Sequence, residues 1–301
     1  MYGVCVDTLQ LLQESSILMD EWSNGKCAFK TTDVKGGMEQ WAKEQAAAAE
    51  ANLCCDWYHG TWQYLRLLNM VAVPNWYGFY VKALSDVLKR KPNANVFISA
   101  CADYGMLAKL HEAIQVAKTN PTITIYDICE TPLRSCEWYA QKFGLSINCK
   151  VGNIITGDIP EAPFDLIVTD EFLTVLKDDY KPEITARWKQ LLKPDGVIVT
   201  TAMIGGPTTA ELRAGFAQKA RNIVATYGKM LFPHHTNGKE QELLAKFDHF
   251  ATFHTRHMLK GEEQLKELFK DYKHFTFNKI LTPGECVNPT ASFEIVASPG
   301  A

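Results

Sequence analysis

Three things are missing from this chain. There is no block of Lys and Arg, and the net charge is −3. Proteins that track nucleic-acid phosphates usually carry a basic footprint, so nucleic acid is not expected as the main partner. No apolar run approaches the roughly 20 residues of a membrane-spanning helix, and no basic-then-apolar leader pattern opens the sequence. Membrane association is not expected, and a cytoplasmic location is. The nine cysteines show no C-x-x-C spacing. Cys54 and Cys55 are adjacent, a poor arrangement for a disulfide or for two ligands of one metal. They read as reduced thiols, many in or near a core, and no structural zinc is expected.

What is present is ordinary in bulk. The 301 residues are 47% hydrophobic and 22% charged, the range of a soluble globular protein with one large domain or two small ones. The informative part is residues 95–127. An apolar run, Asn95-Val96-Phe97-Ile98-Ser99, enters a small-residue turn, Ala100-Cys101-Ala102-Asp103-Tyr104-Gly105. A helical segment follows, then Ile123-Thr124-Ile125-Tyr126, stopping at Asp127. Strand, tight turn, helix, strand and acid is how a doubly wound sheet holds a nucleotide.

Residues 1–90 read as a helical cap. Leu11, Leu12, Leu18, Met19 and Trp22 line one face, Ala46 to Leu53 is strongly helix-forming, and Trp57 to Val71 is rich in aromatics and leucines. Pro74 breaks this run, Trp76 to Leu88 predicts another helix, and the polar stretch Lys89 to Asn95 is the expected boundary. From 91 to 301 strand and helix patterns alternate. Strands are predicted at 95–99, 123–127, 147–151, 164–169 and 196–202, with helices at 104–118, 131–143 and 179–192. Gly144 and Gly196 stand where helical stops are expected. A helical insertion is predicted over about 205–258, opened by Gly205-Gly206-Pro207. A last helix over 262–272 precedes strands Phe275 to Leu281 and Ser292 to Ala297. The short link between these strands, containing Pro283-Gly284, requires antiparallel pairing. The expected class is α/β: a doubly wound, mostly parallel seven-stranded sheet with an antiparallel terminal pair.

Over about 92–301 the chain resembles the class I S-adenosylmethionine-dependent methyltransferases. Four places carry the resemblance. The family's G-x-G-x-G turn is matched by Ala100, Ala102 and Tyr104, with Gly105 just after. Asp127 stands where the family has its ribose-binding acid. Phe164-Asp165-Leu166-Ile167-Val168, followed by Thr169-Asp170-Glu171-Phe172, matches the fourth strand. Leu191-Leu192-Lys193-Pro194-Asp195-Gly196 resembles the family's turn into strand five. The alanines are a departure. They fit only if the backbone keeps ordinary dihedrals and the methyl groups clear a ligand. Tyr104 requires either a register moved to Gly105 or a ring that points away.

The resemblance implies S-adenosylmethionine as cofactor and a set of site residues. Ser99, Ala100, Cys101, Ala102, Asp103 and Gly105 would form the cofactor turn. Asp127 would bind ribose, unless it is a solvated carboxylate at a strand end, and Ile128 would pack on adenine. Asn153, beside Ile154, would accept the adenine amino group through its carbonyl oxygen, or simply form a turn after Gly152. Asp158 is the rival if the register differs. Asp170 would orient the cofactor's amino group or hold substrate. Glu171 would serve as general base or attract an amine; both acids also suit a capping role. Tyr58, His59 and Trp62 would close the site over substrate, or only pack. Met203 follows strand five. His234, His235, His249, His254 and His257 crowd one segment, where the family places substrate-recognition elements. His254 and His257 would contact substrate, and a histidine here would serve as general base. His254 and His257, at i, i+3 on a helical face, would also allow a metal reading, unless these are surface or loop histidines.

The segment after strand four is not the N-P-P-Y type, and Thr200-Thr201-Ala202-Met203 lacks the ligands of metal-dependent members, so no catalytic metal is expected. The expected reaction is in-line methyl transfer to an N, O or S nucleophile of a small molecule. Three alternatives stand beside it, one of them a methyltransferase acting on a macromolecule, which an open rather than a closed pocket would favour. Ala100-x-Ala102-x-x-Gly105 also has dinucleotide spacing, with Asp127 placed 22 residues after Gly105 (127 − 105), which suits a nicotinamide-dependent oxidoreductase. The eroded glycines also suit a catalytically silent S-adenosylmethionine-binding protein. Oligomeric state leaves no mark in the sequence.

Overall fold

The computed structural model describes residues 9–23, 55–71, 77–233, 239–281 and 291–300. The helical expectation for Ala46 to Leu53, the break at Pro74, the Pro283-Gly284 turn, His234 and His235 lie outside them. Before the sheet come α1 (Leu9–Ser23), a 3-10 turn (Cys55–Trp57), α2 (His59–Leu67) and α3 (Tyr77–Arg90). The alternating part runs β1 (Asn95–Ser99), α4 (Gly105–Ala117), β2 (Thr122–Asp127), α5 (Glu130–Phe143), β3 (Asn148–Val151), β4 (Phe164–Val168), α6 (Phe172–Val175), α7 (Lys181–Leu191) and β5 (Leu192–Ile204). Two long helices follow, α8 (Ala210–Leu231) and α9 (Lys239–Phe253). The described chain closes with α10 (Glu262–Leu268), β6 (His274–Leu281) and β7 (Ala291–Ser298).

The sheet has seven strands in the order β3-β2-β1-β4-β5-β7-β6. The first five are parallel, and β7 runs antiparallel to both β5 and β6. Central strands of such a sheet are covered on both faces and therefore read as continuous apolar runs. Val96, Phe97 and Ile98 in β1, and Phe164 to Val168 in β4, are buried throughout. Strand order reverses between β1 and β4, and a crevice opens there at the carboxyl edge, the usual ligand position in a doubly wound sheet.

Most predicted elements match within a few residues. Gly144 does end α5, with φ +68°. Gly196 does not end a helix. The chain enters β5 four residues earlier, at Leu192. The glycine is instead required by close packing, since a Cβ there would stand 2.8 Å from the Phe164 carbonyl oxygen. The aromatic helix is also shorter than Trp57 to Val71. Trp57 lies in the 3-10 turn, and Asn69, at φ +52°, turns the chain out of α2.

Three apolar clusters hold the layers. One face of the sheet packs on α3, α4 and α5, through Tyr80, Leu84, Leu107, Leu110 and Tyr139. The other packs on α7 and α10, through Ile184, Trp188 and Leu265. A third cluster joins α2 and the turn before it to α8 and α9, through Trp57, Tyr64, Leu65, Val224 and Phe247. Each such side chain contributes about 1.5–3 kcal/mol on full burial. This third layer lies above the carboxyl edge and roofs the crevice.

Candidate active site

Between the roof and the sheet edge lies a partly open cavity of about 210 Å³. Its floor is the turn after β1. Ala100 takes φ +63°, so the expectation of ordinary dihedrals at both alanines fails at this one. A left-handed residue with a Cβ costs about 1–2 kcal/mol. Here the turn is held by Ala100 N donating to Tyr126 O at 2.9 Å and Cys101 N donating to the Asp127 carboxylate at 2.9 Å. Tyr104 intrudes on nothing. Its ring is fully buried and stacks on Tyr139, with centroids 5.0 Å apart and planes 9° apart.

Asp127 ends β2 with one oxygen on Cys101 N and the other on Cys129 N, at 2.7 Å. Burial raises its pKa to about 7, against the pull of those backbone donors. Asp103 also lines the cavity, but its carboxylate is engaged by Arg66 at 2.5 Å, Gln63 at 2.7 Å and Gly105 N at 2.6 Å. It anchors the turn to α2. Gly105 itself does not line the cavity. Ser99 lies beneath it, its hydroxyl accepting from Trp188 Nε1 at 2.9 Å. Ile128, Asn153 and Ile154 line the wall beside Asp127. The Asn153 side-chain oxygen accepts from Ile155 N at 2.9 Å, the turn-forming arrangement. Asp158 is exposed and outside the lining.

Across the crevice, Asp170 and Glu171 follow β4. Asp170 Oδ1 accepts from Thr201 Oγ1 at 2.8 Å and lies 2.8 Å from Tyr80 Oη. Glu171 has φ +53°, and its Oε2 accepts from Thr174 Oγ1 at 2.7 Å and Met203 N at 2.8 Å. The remaining oxygens, Asp170 Oδ2 and Glu171 Oε1, are buried without a hydrogen-bond partner among the described residues. Both residues line the cavity. An unpartnered buried carboxylate oxygen is costly, so a ligand donor is the natural complement. Burial, then the charge of Asp170, raises the Glu171 pKa to about 8.

The roof brings Tyr58, His59, Trp62 and His254 to the cavity. Tyr58 stacks on Trp62 and Phe250, at 5.4 and 5.7 Å between centroids. His59 Nδ1 donates to Ala102 O at 3.2 Å, and burial lowers its pKa to about 4. Burial, then Arg256 and Arg213, lowers that of His254 to about 3. Neither histidine is therefore a strong proton acceptor near neutrality. His254 and His257 do not share a helical face, because α9 ends at Phe253. His257 lies outside the cavity lining, its backbone held by Thr174 O and Lys181 Nζ, each at 2.6 Å. Met203 lines the cavity at the end of β5.

Several lining residues escaped sequence reasoning: Tyr126, Thr174, Arg213, Phe216, Phe250 and Arg256. A signal existed for α8, where Leu212, Phe216 and Lys219 recur at i, i+4 and i+7 on one face. Among the described residues, no group of three or more His, Cys, Asp or Glu side chains is arranged to hold a metal ion, and no helix is long and apolar enough to cross a membrane.

Residues 105–200 match a family model described as a methyltransferase domain. The match runs from α4 through most of β5, about a third of the chain, within the doubly wound sheet described above. No curated protein sequence matches. Among solved structures, the chain is similar to TehB from Haemophilus influenzae, at 15% identity and TM-score 0.45 over 72% of this chain and 61% of that one. It is similar to human N-acetylserotonin methyltransferase, solved in complex with SAM, at 15% identity and TM-score 0.47 over 84% and 60%. N-methyltransferase NodS from Bradyrhizobium japonicum, solved with S-adenosyl-L-homocysteine, matches at 14% identity and TM-score 0.42 over 73% and 85%. The chain spans about three fifths of the length of the first two.

Proposed function

We propose that this protein transfers a methyl group from S-adenosylmethionine to a small-molecule nucleophile, with Glu171 taking the acceptor's proton. The observation that carries this reading is the roofed, partly open cavity at the β1/β4 switch, with Asp127 on one side and two unpartnered carboxylate oxygens on the other. The residues fit the cofactor. Asp127 and the amides of the 100–105 turn suit a ribose and an amino-acid tail, Ile128 and Ile154 suit a flat base, and Asp170 Oδ2 suits a cationic amine. When bound, S-adenosylmethionine supplies a methyl group already made electrophilic by its sulfonium. The protein's work is then alignment and exclusion of water. Trp62, Tyr58 and Phe250 close the roof. Glu171 Oε1 accepts a proton from an O–H or N–H acceptor, and a base with pKa about 8 is matched to that task near neutral pH.

Calorimetric titration with S-adenosylmethionine tests the reading. Micromolar to tens-of-micromolar binding is expected, weakened at least tenfold by Asp127→Ala. Absence of binding at high micromolar concentration overturns it. Release of S-adenosylhomocysteine from a metabolite panel separates an enzyme from a silent binding protein.

A further inference from the structure

Charge is segregated inside the cavity. The carboxylates of Asp127, Asp170 and Glu171 stand on the sheet edge, whereas the cations Arg213, Lys219 and Arg256 come from α8 and the segment after α9. The Arg213 guanidinium is held by the carbonyls of Ala251, Thr252 and His254 at 2.6–2.8 Å and by the Thr255 hydroxyl at 2.9 Å. These partners orient it but carry no net charge. Arg256 Nη1 lies 3.4 Å from the sulfur of Met203, at the far end of β5. The positive field of both arginines reaches His254, whose pKa they help to lower. Between the two charged sides stand aromatic rings. Phe216 stacks on Phe250 at 5.6 Å and 25°, and Phe250 on Tyr58 at 27°.

Position relates these cations to the acceptor rather than the donor. Asp127 ends β2 and Met203 ends β5, three strand spacings apart in the sheet order, or about 14 Å at about 4.8 Å per strand. Glu171 lies between them, hydrogen-bonded to Met203 N. A molecule meeting Glu171 from the Asp127 side is the donor, and one meeting it from the Arg256 side is the acceptor. On the methyltransferase reading above, we infer that the acceptor is an aromatic small molecule carrying an anionic group. Its ring lies against Phe216, Phe250 and Trp62, its nucleophilic O–H or N–H meets Glu171, and its carboxylate or equivalent anion meets Arg256 and Arg213. Aromatic stacking and a desolvated cation–anion contact would supply affinity and orientation together.

The test uses the full chain saturated with S-adenosylhomocysteine. Hydroxybenzoic and hydroxyindole-carboxylic acids are titrated beside their uncharged methyl esters, read by calorimetry and tryptophan fluorescence. At least one acid is expected to bind tenfold or more tightly than its ester. Arg256→Gln is expected to erase that preference, and Arg256→Lys to restore part of it. Lys219→Gln is expected to weaken the acid several-fold, and it keeps the test open if Arg256→Gln does not fold. Esters that match acids throughout the set, or an Arg256→Gln variant that weakens both alike, overturn the inference. Loss of S-adenosylhomocysteine affinity in Arg256→Gln assigns the anion to the donor and overturns it as well. With donor binding intact, these outcomes sink the acceptor class alone. With no donor binding, the methyltransferase reading falls and this inference with it.

Discussion

On the proposed reading, Glu171 concentrates the chemistry of the site in one side chain. It combines left-handed backbone, a half-buried position and one buried oxygen left for a ligand. Strain and desolvation of this kind persist where the surrounding structure over-determines them, and they cluster at functional sites. Its raised pKa has a sign. Between the ordinary carboxylate range and about 8, the folded protein holds a proton on Glu171 that the unfolded chain has released. Its contribution to stability is therefore present at low pH and lost as pH rises toward 8. Thermal melts of the ligand-free protein are expected to show Glu171→Gln gaining on wild type between pH 5 and 8. Under the proposed reaction, activity runs the other way, because the base form accumulates with pH. The rate is expected to climb toward pH 8, and Glu171→Gln to lose about 10²-fold or more with that climb flattened. A variant that keeps the wild-type pH–rate profile would remove Glu171 from the reaction. In the sequence this residue was visible only as an acid after a strand. Its placement depends on Thr174 and Met203, which arrive from later segments.

At the scale of elements, the turn after β1 is held by contacts that local sequence does not display. The family spacing of the alanines was legible. What holds the turn comes from elsewhere in the chain: Tyr126 and Asp127 of β2 hold Ala100 and Cys101, while Arg66 and Gln63 of α2 grip Asp103. The same guanidinium lies 5.0 Å from the Tyr104 ring centroid and helps keep that ring away from the cavity. Both partners of the ion pair are buried. Removing one leaves a buried charge uncompensated, which costs about 3–5 kcal/mol. Arg66→Met is expected to lose stability of that order in urea unfolding and to weaken S-adenosylmethionine binding at the same time. Unchanged cofactor affinity in a folded Arg66→Met protein would show that the turn does not need this anchor.

For the whole molecule, the cavity exists because three separated parts of the chain close over one sheet edge. Lys246 on α9 bridges Asp20 on α1 and Asp56 in the 3-10 turn, each at 2.7 Å. It locks the insertion after β5 to the N-terminal helices. Lys246→Met leaves two partly exposed carboxylates facing each other, and a loss of about 1–2 kcal/mol is expected, less than for a fully buried pair. Hydrogen exchange is expected to speed first in residues 239–253. Uniform acceleration across the sheet instead would mean that the bridge supports the whole fold rather than the roof. The sequence alone determined the sheet, its parallel strands and Asp127, because period, strand length and turn chemistry are local properties of the chain. It also marked the acids after β4. Only the tertiary structure decided which way Tyr104 points, that Asp103 serves an ion pair, that His257 misses the cavity, and that arginines from α8 and beyond α9 face the carboxylates. Those outcomes depend on contacts between residues up to about two hundred positions apart, as for Lys246 and Asp56, and no local pattern encodes such pairings.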